Sequence, residues 1–459
     1  MALIHKFIQG DQRLVIDVNS GAIHSIDEVV YDILKDEDHI PDVNEAWKEL
    51  SDKYDQNEIE EAFADIKELI DKQLLYSEDN YKEEAFELEP TSYVKAICLN
   101  IIHDCNLRCR YCFADQGEYK GKREAMSAEV GKAAVDFLIK NSKTVKNLDI
   151  DFFGGEPLMA FDTIKEVVAY ARELEKQFGK NIRFTITTNA MLLNEERADY
   201  LNKNMHNIVL SIDGRKKTND QVRLTKRGTG SYDIILPNIK RMVEKREKGK
   251  LYYIRGTFTH ENTDFYEDVM ALANEGFKEI SIEPVVLSQG EELAITREDI
   301  PGIYKAYDNL YYEMLERIGT EKEFQFYHFN IDLEGGPCLY KRISGCGAGS
   351  AYVAITPKGD IYPCHQFVGK EEFKMGNLNE ETFDHRVSKE FGNAHLYNKP
   401  TCYNCWARFY CGGGCQANNY NFNKDIHIPY EIGCELFKKR TECAIALKTS
   451  SILKESSLN

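Results

Sequence analysis

The stretch His103-Asp104-Cys105-Asn106-Leu107-Arg108-Cys109-Arg110-Tyr111-Cys112 decides the reading of this chain. Its cysteines stand at C-x3-C-x2-C, directly after the apolar run Val94 to Ile102, which reads as a strand. Three thiolates on one short loop can hold three irons of a [4Fe-4S] cube and leave the fourth iron without a protein ligand, open to a small molecule. A zinc loop is the competing reading, with His103 completing the tetrahedron of Cys and His ligands that such sites take.

The cysteine inventory points to the same chemistry. The 459-residue chain has 13 cysteines and none before Cys98. Cys98 precedes the loop; Cys338, Cys346, Cys364, Cys402, Cys405, Cys411, Cys415, Cys434 and Cys443 form a late group, and residues 113–337 contain none. An odd count without a secretory signal argues against a disulfide scaffold and for metal or redox chemistry in a reducing compartment, so a cytoplasmic location is expected. Hydrophobic residues at 42% and charged residues at 29%, with 30 Gly and 11 Pro, exclude collagen-like and wholly disordered chains. No apolar run approaches the roughly 18 residues of a membrane span, so no membrane partner is expected. The net charge of −18 disfavours nucleic acid, whose phosphates reward clustered Lys and Arg. It suits a neutral or basic partner, although a solvated acidic surface accounts for it more simply.

Periodicity sets the fold. Val94 to Ile102, Leu148 to Phe153, Ile182 to Thr187, Ile208 to Ile212, Tyr252 to Phe258 and Ile280 to Val286 predict six strands. Helices are predicted between them near 127–141, 161–178, 194–203, 232–248 and 264–275, and a further helix over about 299–317. Such alternation builds right-handed βαβ units, hence an α/β fold with a parallel sheet, either open or curled into a partial (β/α)6 barrel over residues 92–318. Catalysis in such folds sits at the strand C-termini, where the cysteine loop falls. From Phe324 to about Asn423 glycine and cysteine become dense, and this region, part of a domain expected over 324–450, would depend on metal ligation for its fold. Gly433 to Leu453 returns to a helical pattern able to pack back on the barrel. Residues 1–85 read as a small separate unit. Leu14, Ile16 and Val18 alternate, Asn19-Ser20-Gly21 supplies a turn, and Ala22 to Ser25 returns as a strand. Ser25 with Glu28 predicts a capping box opening a helix near Ile26, and Ile59, Phe63, Ile66 and Ile70 predict a helix over about 58–72. The order is that of a winged-helix-like module, with the charged stretch Ser77 to Glu89 as its linker.

The cysteine loop, with aromatic Tyr111 before its last cysteine, resembles that of the radical S-adenosylmethionine (SAM) superfamily, a resemblance covering about residues 93–290. Gly154-Gly155-Glu156-Pro157, after the second strand, is similar to that family's glycine-rich turn, although an ordinary βα turn could read alike. The resemblance implies that Gly154, Gly155, Glu156 and Pro157 hold the methionine amino group; glycine permits close backbone approach and a carboxylate suits an ammonium ion. It places Thr188-Asn189 and Ser211-Ile212-Asp213-Gly214 against the ribose and methionine groups, Tyr111 over the adenine edge, and the backbone of Glu283-Pro284-Val285 against adenine. Arg223 is then a candidate partner for the cofactor carboxylate, or else a surface arginine in a polar loop. The implied cofactors are S-adenosylmethionine and a [4Fe-4S] cluster on Cys105, Cys109 and Cys112. The implied chemistry is reductive cleavage to a 5′-deoxyadenosyl radical that abstracts a substrate hydrogen.

Cys346, Gly359, Cys364, then Cys402-x2-Cys405-x5-Cys411-x3-Cys415 and Cys434 resemble the SPASM extension of radical enzymes that modify peptides and proteins. The resemblance implies two auxiliary [4Fe-4S] clusters with crossed ligation. Cys346, Cys364 and Cys415 would hold the first, and Cys402, Cys405, Cys411 and Cys434 the second. Cys338 or a substrate thiolate would complete the first; an iron-held thiolate is deprotonated and positioned, which suits carbon–sulfur bond formation. Cys98 and Cys443 read as buried structural thiols.

A winged-helix-like unit ahead of such an enzyme resembles the peptide-recognition element of maturases of ribosomally made peptides, where a leader segment adds as a strand to the hairpin edge. Residues 1–90 are acidic and offer no basic recognition helix for DNA. The three-part order is most similar to the maturases of Cys-rich SCIFF precursors. That resemblance implies an enzyme that joins a Cys sulfur to the α-carbon of another residue, often Thr, in a leader-bearing precursor peptide, with flavodoxin or ferredoxin as electron donor. An anaerobic sulfatase maturase forming formylglycine, an enzyme forming carbon–carbon peptide crosslinks, and a nonenzymatic redox-sensing regulator are the alternatives. No spacing isolates a general base.

Overall fold

The structure, a computed structural model, describes residues 3–35, 38–39, 42–87, 93–119, 121–288, 290–333, 339–380 and 382–457. At the N-terminus β1 (Ile4–Gln9), β2 (Gln12–Asp17) and β3 (Ile23–Ser25) form an antiparallel sheet in that order, followed by α1 (Glu28–Ile33), α2 (Val43–Leu50) and α3 (Gln56–Asp71). The hairpin expected from Leu14 to Ser25 is β2 with β3. The strand before it, β1, was not legible, because Lys6 and Gln9 interrupt its apolar positions. Asp27 caps α1, accepting the Val30 N–H at 2.9 Å, in place of the expected Ser25 box. Successive strand residues face opposite ways, and both faces of this sheet are covered. Ile4 and Val15 pack with Ile33, Ile59 and Ile66 in a small core, while Phe7, Leu14, Ile16 and Val18 belong to the main core of the molecule. The module is therefore not the separate unit its sequence implies. Its expected linker also differs, since it contains α4 (Tyr81–Glu87), preceded by a buried ion pair between Asp79 and Arg408 at 3.0 Å.

The central domain runs β4 (Ala96–Ile102), the short β5 (Leu107–Cys109), α5 (Ala128–Asn141), β6 (Asn147–Gly154), α6 (Phe161–Phe178), β7 (Asn181–Thr188), α7 (Glu195–Asn204) and β8 (Asn207–Ser211). It continues through α8 (Lys216–Val222), β9 (Arg223–Thr225), α9 (Tyr232–Glu244), β10 (Leu251–Phe258), α10 (Phe265–Asn274), β11 (Glu279–Pro284), α11 (Ile300–Arg317) and β12 (Gln325–Phe326). β4, β6, β7, β8, β10 and β11 pair in parallel in chain order. That order never reverses, unlike a doubly wound sheet, and is the order of a curled barrel wall. On β6, Leu148, Ile150 and Phe152 are fully buried under the helices, while Asp149, Asp151 and Phe153 face the other way. The concave side is thus partly polar, and it leads to the strand C-termini.

After α12 (Leu339–Ser344), β13 (Tyr352–Ile355) pairs in parallel with β4, and β14 (Asp360–Tyr362), β15 (Gly376–Asn377) and β16 (Thr382–Phe383) extend the sheet antiparallel. Val353, Ala354 and Ile355 are fully buried. The cysteine-rich region therefore takes a share of the barrel core and does not rest on metal ligation alone. It ends with α13 (His385–Asn393), α14 (Arg408–Cys411), α15 (Gln416–Asn423) and α16 (Glu431–Ser457). As expected, α16 packs back along α11. It also clamps the N-terminal sheet: the Lys439 ammonium donates to Gln9 Oε1 at 2.9 Å, and Gln12 Nε2 donates to Ser450 Oγ at 2.7 Å.

Candidate functional site

Two strand pieces fix the cysteine loop. β5 pairs antiparallel with β9, placing Cys109 opposite Arg223, and the Arg110 N–H donates to Val222 O at 3.0 Å. The loop forms one wall of a cavity of about 1150 Å3, counting its solvent-open mouth, at the C-terminal ends of the parallel strands. Cys105, Cys109, Tyr111, Cys112, Gly154, Gly155, Asn189, Ser211, Arg223 and Glu283 all line it. Glu156, Pro157 and Asp213, also singled out by sequence, stand behind that lining and are buried.

The glycine turn and the cysteine loop fit because neither carries a side chain between them. Gly154 has φ +126°, and a Cβ added at Gly155 would stand 1.9 Å from Asp104 O. The Glu156 N–H donates to that same Asp104 carbonyl at 2.9 Å. The Glu156 carboxylate is 0% exposed and accepts the Thr188 hydroxyl at 2.7 Å, the Asn189 N–H at 2.8 Å and the Leu158 N–H at 3.0 Å. Burial raises its pKa, against the pull of those donors. Glu156 thus braces the end of β7 from behind, where its family resemblance implied a carboxylate facing an ammonium. Asn189, so held, turns Nδ2 to Asn106 Oδ1 at 2.8 Å and to Cys105 Sγ at 3.6 Å.

Asp213 does the same on the opposite wall. It accepts the Tyr111 hydroxyl at 2.6 Å and the Thr257 N–H at 2.9 Å, with Arg223 Nε 2.9 Å away. The Arg223 guanidinium carbon lies 5.6 Å from the Tyr111 ring centre. Arg223 is therefore a buried wall residue and not a surface arginine. Arg255 donates to Glu283 at 2.8 Å, and the Val285 N–H is already donated to Phe258 O at 2.8 Å. Sequence reasoning missed Phe113, Phe153, Arg255, Thr257, His365 and Gln366, which also line the cavity. The available signal for the last pair was their position directly after Cys364.

Burial pushes the Cys105 and Cys109 thiols up to about 12. As bare thiols they would be protonated and poor nucleophiles at neutral pH, whereas a soft metal replaces the protons. His103, the fourth ligand of the zinc alternative, does not line the cavity, and its ring stacks on Tyr119 at 4.6 Å. Three thiols in one glycine-cradled wall fit a [4Fe-4S] cluster with one open iron.

The late cysteines sort into two neighbourhoods by the thiols that disturb one another. Cys364 feels Cys415 and Cys346, and Cys415 feels Cys346. Cys402 feels Cys411 and Cys405, and Cys434 feels all three of those. Cys346 and Cys415 are exposed. Cys338 lies outside the described residues. Cys98 and Cys443 are buried, and Cys443 Sγ donates to Gln9 Oε1 at 3.6 Å.

Comparison with known proteins agrees with this geometry. The family model of the Radical SAM superfamily matches residues 99–273, and that of SPASM, an iron-sulfur cluster-binding domain, matches residues 346–406. A cysteine-type anaerobic sulfatase-maturating enzyme of Clostridium novyi is 26% identical, covering 75% of this chain and 94% of that protein. The solved structure of native anSMEcpe with bound AdoMet and Cp18Cys peptide aligns with a TM-score of 0.64 at 20% identity, covering 78% of this chain and 99% of its own. Streptococcus suis SuiB bound to precursor peptide SuiA aligns with a TM-score of 0.54 at 18% identity, covering 93% of this chain and 97% of its own. The chain thus carries a radical SAM domain and a SPASM domain on an α/β fold. It is an enzyme that uses S-adenosylmethionine, a [4Fe-4S] cluster and auxiliary iron-sulfur clusters. Among the described residues no helix is long and apolar enough to cross a membrane.

Proposed function

We propose that this radical SAM/SPASM enzyme forms a thioether between a Cys sulfur and the α-carbon of another residue in a ribosomally made, Cys-rich precursor peptide of the SCIFF type. The observation that carries this reading is the open edge of β3. Among the described residues that strand pairs with β2 alone, and it borders a groove of about 850 Å3, counting its solvent-open mouth, where apolar Val15, Ile26, Val30, Ile66, Leu69 and Leu75 alternate with polar groups such as His24 and Asp65. An extended leader can add there as a fourth strand, with backbone bonds for affinity and the groove for alternate side chains. Support also comes from coverage, since the likeness to the peptide-bound SuiB structure spans 93% of the chain and that to anSMEcpe 78%.

In this reading Cys105, Cys109 and Cys112 hold the first cluster. Cys346, Cys364 and Cys415 hold one auxiliary cluster, and Cys402, Cys405, Cys411 and Cys434 the other. The bound cofactors supply a 5′-deoxyadenosyl radical able to take a hydrogen atom from carbon. The chain supplies the rest. Arg223, fixed by Asp213, offers a cation to a carboxylate; Asn189 and Ser211 offer hydrogen-bonding groups; Phe113 and Phe153 keep the reacting carbon away from water. A substrate thiolate would complete the first auxiliary set beside Cys364, which adjoins the cavity-lining His365 and Gln366. Joining S–H to C–H removes two hydrogens from the peptide: one would leave as a hydrogen atom to the 5′-deoxyadenosyl radical, and the other as the thiol proton, released to solvent, with one electron for which the auxiliary cluster would be the acceptor. The enzyme works in the cytoplasm with flavodoxin or ferredoxin as donor.

The test is mass spectrometry of a Cys-rich peptide encoded beside the gene, after incubation with loaded enzyme, reductant and S-adenosylmethionine. A thioether gives a loss of two hydrogens with one thiol blocked to alkylation. Loss of the cysteine sulfur would instead support formylglycine formation, the reading favoured by the Clostridium novyi relative. A two-hydrogen loss with every thiol still alkylated would indicate a carbon–carbon crosslink.

A further inference from the structure

We infer that Lys399 is a shared counter-charge of the two late cysteine groups, a positioning residue whose ammonium raises the reduction potential of the clusters on both. The inference rests on the ligand sets proposed above. The chain passes from one set to the other through Cys411-Gly412-Gly413-Gly414-Cys415, where the three glycines have φ +65°, +85° and +75°. Left-handed backbone of this kind admits glycine with little strain. Lys399, 1% exposed, reaches into this passage and donates from Nζ to Gly413 O at 2.5 Å. A Cβ at Gly413 would stand 3.2 Å from that Nζ, so the glycine lets the ammonium come close. At its other end Lys399 accepts the Cys402 N–H on its carbonyl at 3.1 Å. One residue is thus anchored on a cysteine of the second set and ends on the carbonyl of Gly413, two residues along the chain from Cys411 and from Cys415, one from each set.

Its electrostatic surroundings agree. Burial lowers the pKa of the Lys399 ammonium, and the groups that oppose this and hold its charge are the sulfurs of Cys402 and Cys411 from one set and of Cys415 and Cys346 from the other. Arg408, the other large buried cation of this region, has the Asp79 carboxylate. A buried ammonium needs a counter-charge, and thiolate-ligated clusters supply one. Reduction adds negative charge to a cluster, so a fixed cation between two of them favours the reduced form of each.

The experiment is an EPR-monitored redox titration of fully loaded enzyme without peptide, comparing wild type with Lys399→Gln and Lys399→Arg. Lys399→Gln is expected to shift both auxiliary midpoints to more negative potential and to leave the midpoint of the Cys105 site unmoved; Lys399→Arg is expected to bring both back toward wild type. Unchanged midpoints in iron-replete Lys399→Gln, or a shift confined to one cluster, would overturn the inference. Should Lys399→Gln take up only the radical-site iron, uptake of all three clusters by Lys399→Arg would support the charge role, and failure of both variants would refute it in favour of a packing role. Failure of the ligand-set reading is distinguishable, because wild type itself would then hold about four irons and not about twelve.

Discussion

Glu156 and Asp213 are carboxylates that act by holding backbone and side chains around the cavity. Three donors converge on Glu156, two of them backbone N–H groups that can only donate, so the amide of Glu156→Gln cannot accept all three and loses the carboxylate's charge. Hydrogen bonds to a charged group contribute about 1.5–3 kcal/mol. The expected outcome is a cofactor dissociation constant raised roughly 10- to 100-fold at unchanged iron content, read by equilibrium binding. Gly155→Ala acts on the other side of the same turn, since its Cβ cannot share space with Asp104 O. It should cost the radical-site iron, lowering content by about four and abolishing 5′-deoxyadenosine formation while the auxiliary signals persist. Asp151, on the concave face of β6, offers a pH test. Burial, with Asp149 adding to it, raises its carboxyl to about 7. A folded-state pKa above the unfolded one means the stabilisation is fully present below about pH 4 and is lost as pH rises through about 7. Asp151→Asn keeps the site neutral, so its gain in thermal midpoint over wild type should be larger at pH 8 than at pH 5. An equal gain at both values would rule out this titration. At this scale the sequence was legible where chemistry is local. The loop spacing and the glycine pair marked the cavity, but the direction in which Glu156 faces depends on Thr188 and Asn189, which come from another strand.

Among the elements, the least legible were the shortest. β5 and β9 have three residues each, too few to show a period, yet they pin the cysteine loop to Arg223. The supposed linker failed for a different reason. A run of charges reads as solvated, and Asp79 finds its partner Arg408 329 residues away. Asn19 of the β2–β3 turn also accepts from Arg408, and the Tyr397 hydroxyl donates to Asp79 at 2.8 Å. Arg408 lies between Cys405 and Cys411, so this node ties the N-terminal module to one cysteine loop. Removing one member of a buried pair leaves the other charge unpaired, at a cost of about 3–5 kcal/mol. Asp79→Ala should therefore lower the thermal midpoint, and the double variant Asp79→Ala with Arg408→Met should recover part of the loss. A double variant no better than the single would show that the pair is not coupled.

For the whole molecule, the decisive fact is that three sequence regions share one main core. Strand and helix periods made the parallel sheet readable in advance, because each βα unit is local in the chain. That β13 would join β4, and that Phe7 and Leu14 would enter the main core, was not, because those contacts pair residues hundreds of positions apart. Removing residues 1–85 should consequently do more than abolish the leader binding proposed above. It exposes the apolar face that covers Phe7, Leu14, Ile16 and Val18 and strips Arg408 of both Asn19 and Asp79. The truncated chain is expected to aggregate and to load less iron, measured by size-exclusion chromatography and iron analysis. A monomeric, iron-replete truncation would refute the shared core. Leader recognition is better probed by Leu69→Arg, which should weaken peptide binding while uncoupled 5′-deoxyadenosine formation continues.

The parallel pairing of β13 with β4 has one more consequence. Cys98 sits on β4 opposite Ala354, and the chain leaves β14 directly into Cys364 and the two residues that line the cavity. The separation between the radical cavity and the first auxiliary set is thus fixed by a ladder of backbone hydrogen bonds and not by a flexible hinge. Electron tunnelling falls steeply with distance, and a slip of one residue along a strand is about 3.3 Å. The register of β13 therefore works as a gauge for the rate at which an electron can pass between the radical cavity and the proposed first auxiliary set.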